Sequence, residues 1–94
     1  MRVEPGMFKA EWLVFLQAIN PETHAAMRIQ LFVDDREVTR MQGRPKRNQP
    51  AEAWLRVSHI RTKGGLVQIV LPQPATPFGE TVFVKQELVN FESP

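Results

Sequence analysis

The sequence predicts an all-β fold with antiparallel strands. Three observations lead to this prediction: runs of alternating or β-branched residues, glycine and proline turn signals between those runs, and no convincing crossover helix. About six such runs fit into the 94 residues, which is the size of one domain spanning 1–94. We therefore expect a small antiparallel β-sandwich of the immunoglobulin-like sort, or a closed barrel of similar size.

The N-terminal run, residues 8–19, fits two structures. Trp12–Ile19 is almost continuously apolar, which suits a strand buried on both faces. A helix is the alternative, and would give an α+β fold with an N-terminal helix on the sheet, because several large side chains also share one helical face. We predict a strand, since the run is rich in aromatic and branched residues and Asn20-Pro21 ends it. One helical turn is expected at 21–25.

The segment 26–33 has the clearest period of two in the chain. Its apolar residues Met27, Ile29, Leu31 and Val33 alternate with a series that is polar except for Phe32. We predict a half-buried strand and then a hairpin whose tip is Asp34-Asp35, with the returning strand at 36–41.

A second hairpin is predicted between residues 53–61 and 66–71. The connection 62–65 contains Gly64-Gly65, and paired glycines between β-rich runs are a strong signal for a tight hairpin turn.

The segment 72–77 is rich in proline and is predicted to be an extended crossing segment. Three of its six residues lack an amide donor, so it cannot form a central strand. The chain is expected to re-enter a strand at 80–91. A terminal strand is often an edge strand, and an edge is available for pairing with a partner or a second copy.

Catalysis and metal binding are not expected. The chain has no cysteine and only two histidines, His24 and His59, and the neighbour Ser58 points to the opposite face of the same strand. The carboxylates within 34–37 lack the spacing of a calcium loop. We therefore predict no enzyme, no catalytic residue, no cofactor and no metal site.

The positive charge is concentrated in the middle of the chain. Net charge is +2, but residues 36–63 hold eight basic and two acidic side chains, a local charge of +6 that leaves −4 for the flanks. A basic loop is predicted at 41–52. If this region forms one face, it could bind nucleic acid or another polyanion, through these candidate residues: Arg40, Arg44, Lys46, Arg47, Arg56, Arg61 and Lys63. Trp54 and Phe32 are the aromatic candidates for stacking.

Within the basic loop, Gly43-Arg44-Pro45 resembles the core of the AT-hook, a short motif that lies extended in the DNA minor groove. The resemblance covers about five residues, and it departs from the motif at Gln42, where a basic residue is expected. It implies an extended backbone at Pro45 and insertion of Arg44 into a narrow groove.

We predict a non-catalytic interaction or accessory module that acts through protein–protein contacts, with a protein partner or a second copy of the chain. Nucleic-acid or polyanion binding through 36–63 is the alternative. The apolar run at 12–16 is too short for a signal peptide or a membrane span, so no membrane partner is expected and the cytoplasm is the expected compartment.

Overall fold

A computed structural model describes residues 1–75 and 79–89, and expectations for 76–78 and 90–94 lie outside the described residues. The described chain is mostly β-strand, with two short 3₁₀ turns, so the all-β prediction is confirmed. In chain order the strands are β1 (Arg2–Pro5), β2 (Glu11–Ile19), β3 (Ala26–Asp34), β4 (Val38–Thr39), β5 (Ala51–Glu52), β6 (Trp54–Leu55), β7 (Ser58–Lys63), β8 (Leu66–Ala75) and β9 (Gly79–Lys85).

These strands form three antiparallel sheets. The largest has the order β3-β2-β1-β5, the second has the order β7-β8-β9, and β4 and β6 make a small pair. Both large sheets are built on a meander, in which consecutive strands pair, rather than on the Greek-key exchange of immunoglobulin domains. The four-residue β1 and the addition of β5 to its edge were not predicted.

The hydrophobic core lies between the two large sheets. In the four-stranded sheet, Val14 faces Val3 on one neighbour and Leu31 on the other, and all three are buried. In the three-stranded sheet, Val67 pairs with Val84 on the buried face. The residues of the two inner faces form one cluster, so period-two alternation in the strands builds a single core between two layers.

Residues 11–19 form a strand, so the N-terminal helix and the α+β alternative are wrong. β2 pairs along its whole length with β3 and over four residues with β1, and most of its side chains are at least half-buried on both faces. Backbone pairing on both edges and the large aromatic and branched side chains favour the strand over the helix.

The connection between β2 and β3 is a hairpin loop with one hydrogen-bonded turn, not a helix, at the position where a helical turn is predicted. The Asn20 side chain accepts hydrogen bonds from the amides of Glu22 and Thr23, at 2.8 and 3.2 Å, and the His24 amide donates to the Asn20 carbonyl at 2.8 Å. The Asn20 amide then bonds the Ala25 carbonyl and closes the loop. Asn20 therefore caps a single turn, as expected from Asn-Pro.

The hairpin predicted at Asp34-Asp35 is wrong. Asp34 caps a 3₁₀ helix at Asp35–Glu37, and the following strand β4 pairs with β6 instead of returning along β3. The reason lies in the tertiary contacts of Asp35: its amide donates to the Ala10 carbonyl at 2.8 Å, and its carboxylate accepts from Trp12 Nε1 at 2.7 Å. These bonds hold the chain against the β1–β2 loop and direct it out of the sheet.

The hairpin at Gly64-Gly65 is confirmed and joins β7 to β8. Both glycines have positive φ, 58° and 79°, as a type I′ turn requires, and Lys63 pairs with Leu66 across the turn. The strand predicted at 53–61 is divided, because β6 pairs with β4 while β7 belongs to the hairpin.

The described part of the proline-rich segment, residues 72–75, is extended within β8, and it does not cross to another sheet. β8 continues through Pro72 and Pro74, and its ladder with β9 is interrupted between Val70 and Ala75, where the prolines lie. Ala75 pairs with Gly79, so the chain turns back as a hairpin into β9. β9 is an edge strand, as expected of the C-terminal strand, but it ends at Lys85 and a 3₁₀ helix follows at Gln86–Leu88.

Candidate interaction surfaces

The basic candidates lie in three different places. Arg44, Lys46 and Arg47 belong to the loop between β4 and β5. Arg40 and Arg56 line an open groove of about 1560 Å³, whose walls also carry acidic and apolar residues, among them Glu52, Glu87, Trp54, Leu55 and Leu88. Arg61 and Lys63 project from β7 in the three-stranded sheet. The candidate residues therefore come from the β4–β5 loop, the β6–β7 connection and strand β7, rather than from one strand or loop.

The basic loop is folded rather than extended. Gly43 has φ of 83° and Pro45 is buried, and Lys46 and Gln49 exchange two backbone hydrogen bonds of 3.0 and 2.9 Å across a tight turn. The Asn48 amide donates to Glu4 Oε1 at 2.9 Å, which places a carboxylate against this turn. This turn includes Lys46 and Arg47, so the five-residue segment that resembles the AT-hook is not extended throughout, and residues 51–52 form β5 instead of loop.

The outer face of the three-stranded sheet, here called the basic sheet face, consists of three rows of side chains. In strand order these rows are Ser58, Val70, Thr81; Arg61, Gln68, Phe83; and Lys63, Leu66, Lys85. The opposite face holds the buried Val67, Ile69 and Val84, so the rows point away from the core cluster; within the last row, Leu66 is only 7% exposed between the two lysines. The nine positions include three cations and no carboxylate.

Arg61 is held in a defined position on this face. Its Nε donates to Gln68 Oε1 at 2.8 Å, and its guanidinium carbon lies 5.9 Å from the centre of the Phe83 ring. This distance is that of a cation–π contact. The central row thus presents a guanidinium over an aromatic ring. Lys63 and Lys85 are the two outer residues of the adjacent row.

Phe83 and Lys85 were missed by the sequence reasoning because they lie outside the basic middle third. Their signal is the period of two in β9, where Thr81, Phe83 and Lys85 alternate with the buried Val82 and Val84. The predicted aromatic candidates Trp54 and Phe32 are 41% and 42% exposed, but neither belongs to the basic sheet face.

The loop between β1 and β2, residues 6–10 and here called the apolar loop, exposes two large side chains. Met7 is 78% exposed and Phe8 72%, the highest values among the large hydrophobic residues that the structure describes. The backbone is well bonded: Gly6 N donates to the Glu11 carbonyl at 2.9 Å, Met7 N to Glu11 Oε1 at 3.0 Å, and Glu11 N to the Phe8 carbonyl at 3.2 Å. The loop therefore presents both side chains from a fixed backbone.

A small cleft lies near the same end of the four-stranded sheet. It has a volume of about 350 Å³ and is lined by Leu13, Gln30, Leu31, Phe32 and Pro74. Leu13 and Phe32 are directly opposite each other on β2 and β3. Phe32 is on the outer face, as the sequence pattern predicts.

The predicted absence of catalytic chemistry remains a prediction. His59 Nε2 is 3.2 Å from Thr62 Oγ1, and Ser58 and His59 pair with successive residues of β8 and so point to opposite faces. Among residues 1–75 and 79–89, no three acidic or histidine side chains come together as a metal site.

Gly6 is expected to be necessary for the shape of the apolar loop. A Cβ at this position would lie 2.8 Å from two side-chain atoms of Glu11 and 2.9 Å from its carbonyl oxygen. We expect Gly6→Ala to destabilise the protein by about 1–3 kcal/mol, because the backbone must move apart. Urea denaturation will measure the change. Ala10→Ser, at an exposed position of the same loop, is the control, and equal stability of the Gly6→Ala variant and the wild type would contradict the prediction.

The helical segments in the described chain are two 3₁₀ turns of three residues, so none approaches the length of a membrane-spanning helix. Comparison of the chain with protein-family models, with curated proteins and with solved structures found no match.

Proposed function

We propose that this protein is a non-catalytic interaction module that acts through protein–protein contacts, and that its partner is a second copy of the chain. The observation that carries the proposal is the exposure of Met7 and Phe8 on a hydrogen-bonded loop at the end of the four-stranded sheet where a small cleft also lies. A cytoplasmic location is part of the proposal.

The apolar loop has the physical properties of an interface anchor. Transfer of a large apolar side chain from water into a protein contact is favourable by about 1.5–3 kcal/mol, so Met7 and Phe8 offer a substantial driving force for association. The three hydrogen bonds to and from Glu11 order the loop before any contact is made. Less conformational entropy is then lost when a partner binds.

The position of the cleft favours a second copy as the partner. The apolar loop is followed by Glu11, which pairs with Asp34, and the Leu13–Phe32 pair of the cleft is two residues further along the same ladder. A two-fold axis at this end of the sheet would bring each apolar loop onto the cleft of the other protomer. Such an interface is self-complementary and closes as a dimer.

Sedimentation velocity over a range of concentrations, from micromolar to submillimolar, tests this proposal. We expect the wild type to form a dimer, and the double variant Met7→Ser/Phe8→Ser to have a dimer dissociation constant raised by about tenfold or more, because each protomer loses two buried apolar contacts. Phe32→Ser should weaken the dimer in the same direction, since it removes one wall of the cleft.

Ile60→Ser is the matched control. Ile60 is an apolar side chain that is 49% exposed on β7, outside the apolar loop and the cleft, so this variant should dimerise like the wild type. A wild type that remains monomeric at every concentration would show that the proposal is wrong. Equal weakening by the Ile60 and Met7/Phe8 variants would show that association is not specific to the loop.

Polyanion binding is a second candidate function. The observation that favours it is the basic sheet face, where Arg61 lies over the Phe83 ring, the next row carries Lys63 and Lys85, and the nine positions include no carboxylate. The basic loop and the groove support it less, because the Glu4 carboxylate contacts the basic loop at Asn48 and the groove is also lined by Glu52 and Glu87.

A further inference from the structure

We propose that the basic sheet face binds single-stranded nucleic acid, with bases stacked on the Arg61–Phe83 pair and phosphates bound by Lys63 and Lys85. This inference rests on the second candidate function and names its ligand and its site. It does not depend on the apolar loop or on dimerisation. Two of the residues that carry it, Phe83 and Lys85, lie outside the basic middle third of the sequence.

The shape of the surface favours a single strand. Neighbouring strands of a sheet are about 4.8 Å apart, so each row of three side chains spans about 10 Å across the sheet. Duplex readout needs an element that enters a groove, whereas unpaired bases can lie on a sheet and stack on its side chains. The central row supplies a stacking position, and the row with Lys63 and Lys85 supplies cations at both edges.

Arg61 is prepared for this contact by its neighbours. An exposed arginine normally has many conformations, and it loses their entropy when it binds. Here Gln68 holds Nε at 2.8 Å and the Phe83 ring lies beneath the guanidinium, while the two terminal nitrogens are not used in these contacts. A base can stack on the exposed side of the guanidinium plane, and the terminal nitrogens can donate to a phosphate or a base edge.

The charge around the site distinguishes it from the other basic groups. In the basic loop, Glu4 Oε1 accepts a hydrogen bond from the Asn48 amide, and the groove that contains Arg40 and Arg56 also contains Glu52 and Glu87. The nine positions of the basic sheet face have three cations and no such carboxylate. A polyanion therefore meets less repulsion on this face.

Two variants with the same change of charge test the site. Arg61→Ala/Lys63→Ala/Lys85→Ala removes the cations of the basic sheet face, and Arg44→Ala/Lys46→Ala/Arg47→Ala removes those of the basic loop. Fluorescence anisotropy with labelled single-stranded RNA and DNA oligonucleotides of mixed sequence measures binding. We expect the sheet variant to bind about tenfold more weakly or worse, and the loop variant to stay within about twofold of the wild type.

Phe83→Leu tests stacking separately from charge. Leucine keeps an apolar side chain at this half-buried position, so the fold should be retained, which a thermal melt followed by circular dichroism will check. We expect oligonucleotide binding to weaken by about fivefold or more. Binding of dextran sulfate, a polyanion without bases, should be unchanged.

The other outcomes overturn the inference in ways that can be told apart. Equal losses in both triple variants, or no effect of Phe83→Leu, would leave only general polyanion binding. A loss confined to the loop variant would move the site to residues 44–47. Tighter binding of duplex than of single strands would exclude the stacking mode. Absence of oligonucleotide binding even at low salt would show that polyanion binding, the second candidate function, is wrong as well. It would not affect the self-association proposal, which sedimentation velocity tests separately.

Discussion

Replacement of Ile29 by alanine is expected to lower the free energy of unfolding by about 2–5 kcal/mol. Ile29 is 1% exposed, and it projects from β3 into the cluster shared by the two large sheets. The substitution removes buried methyl and methylene groups and leaves a cavity, because the sheet backbone can relax only in part. Since small domains are stable by about 5–15 kcal/mol, the loss is a large share of the total.

Urea denaturation of the wild type and the variant gives this value directly from the shift in midpoint at constant slope. Gln30→Ala is the control, because Gln30 is the next residue of the same strand and faces solvent. It should change stability by no more than about 0.5 kcal/mol. Similar urea midpoints for the two variants would contradict the assignment of Ile29 to the core and of Gln30 to the solvent-facing side of β3.

A fourfold increase in salt is expected to weaken the binding of single-stranded DNA by about 15- to 20-fold. Each phosphate contact on a single strand contributes about −0.7 to the slope of log affinity against log salt, so three cations give a slope of about −2. The sheet variant Arg61→Ala/Lys63→Ala/Lys85→Ala should lose most of this dependence, because it has lost the contacts that release counterions. The loop variant should retain it.

Anisotropy titrations at several salt concentrations measure the slope, and its size discriminates between sites. If all seven basic residues predicted from the sequence bound phosphates together, the slope would be about −5. A slope of about −5 would contradict a site made only of Arg61, Lys63 and Lys85, even if the wild type bound with the expected affinity. A slope that is the same in the sheet variant and the wild type would place the contacts elsewhere.

Local signals in the sequence predicted the strands and turns that depend on neighbouring residues. The alternation in 26–33 identified β3 and its inner face, and Gly64-Gly65 identified the tight turn between β7 and β8. The prolines predicted an extended segment from residue 72 onward, and residues 72–75 are extended within β8. Each of these features follows from side-chain periodicity, permitted φ angles or a missing amide, which act within a few residues.

Pairing between distant segments was not predictable in the same way. Val38 was expected to return along β3, but Asp35 is bonded to Ala10 and Trp12, and β4 pairs with Leu55 and Trp54 instead. β1 was not recognised because four residues are too few for a period-two pattern to be distinguished from a loop. Its identity depends on β2 and β5, which hydrogen-bond to its two edges.

The sequence by itself determined that this chain is an all-β protein, which residues alternate toward the core, and where its clearest turn occurs. Only the tertiary structure decided how its charges are distributed. It buried Pro45 and closed a tight turn between Lys46 and Gln49, and it brought Phe83 beside Arg61, with Lys85 in the next row of the same face. The physical reason is that a surface is composed of side chains from strands that are neighbours in the sheet, whereas a count of charges along the chain records only neighbours in sequence.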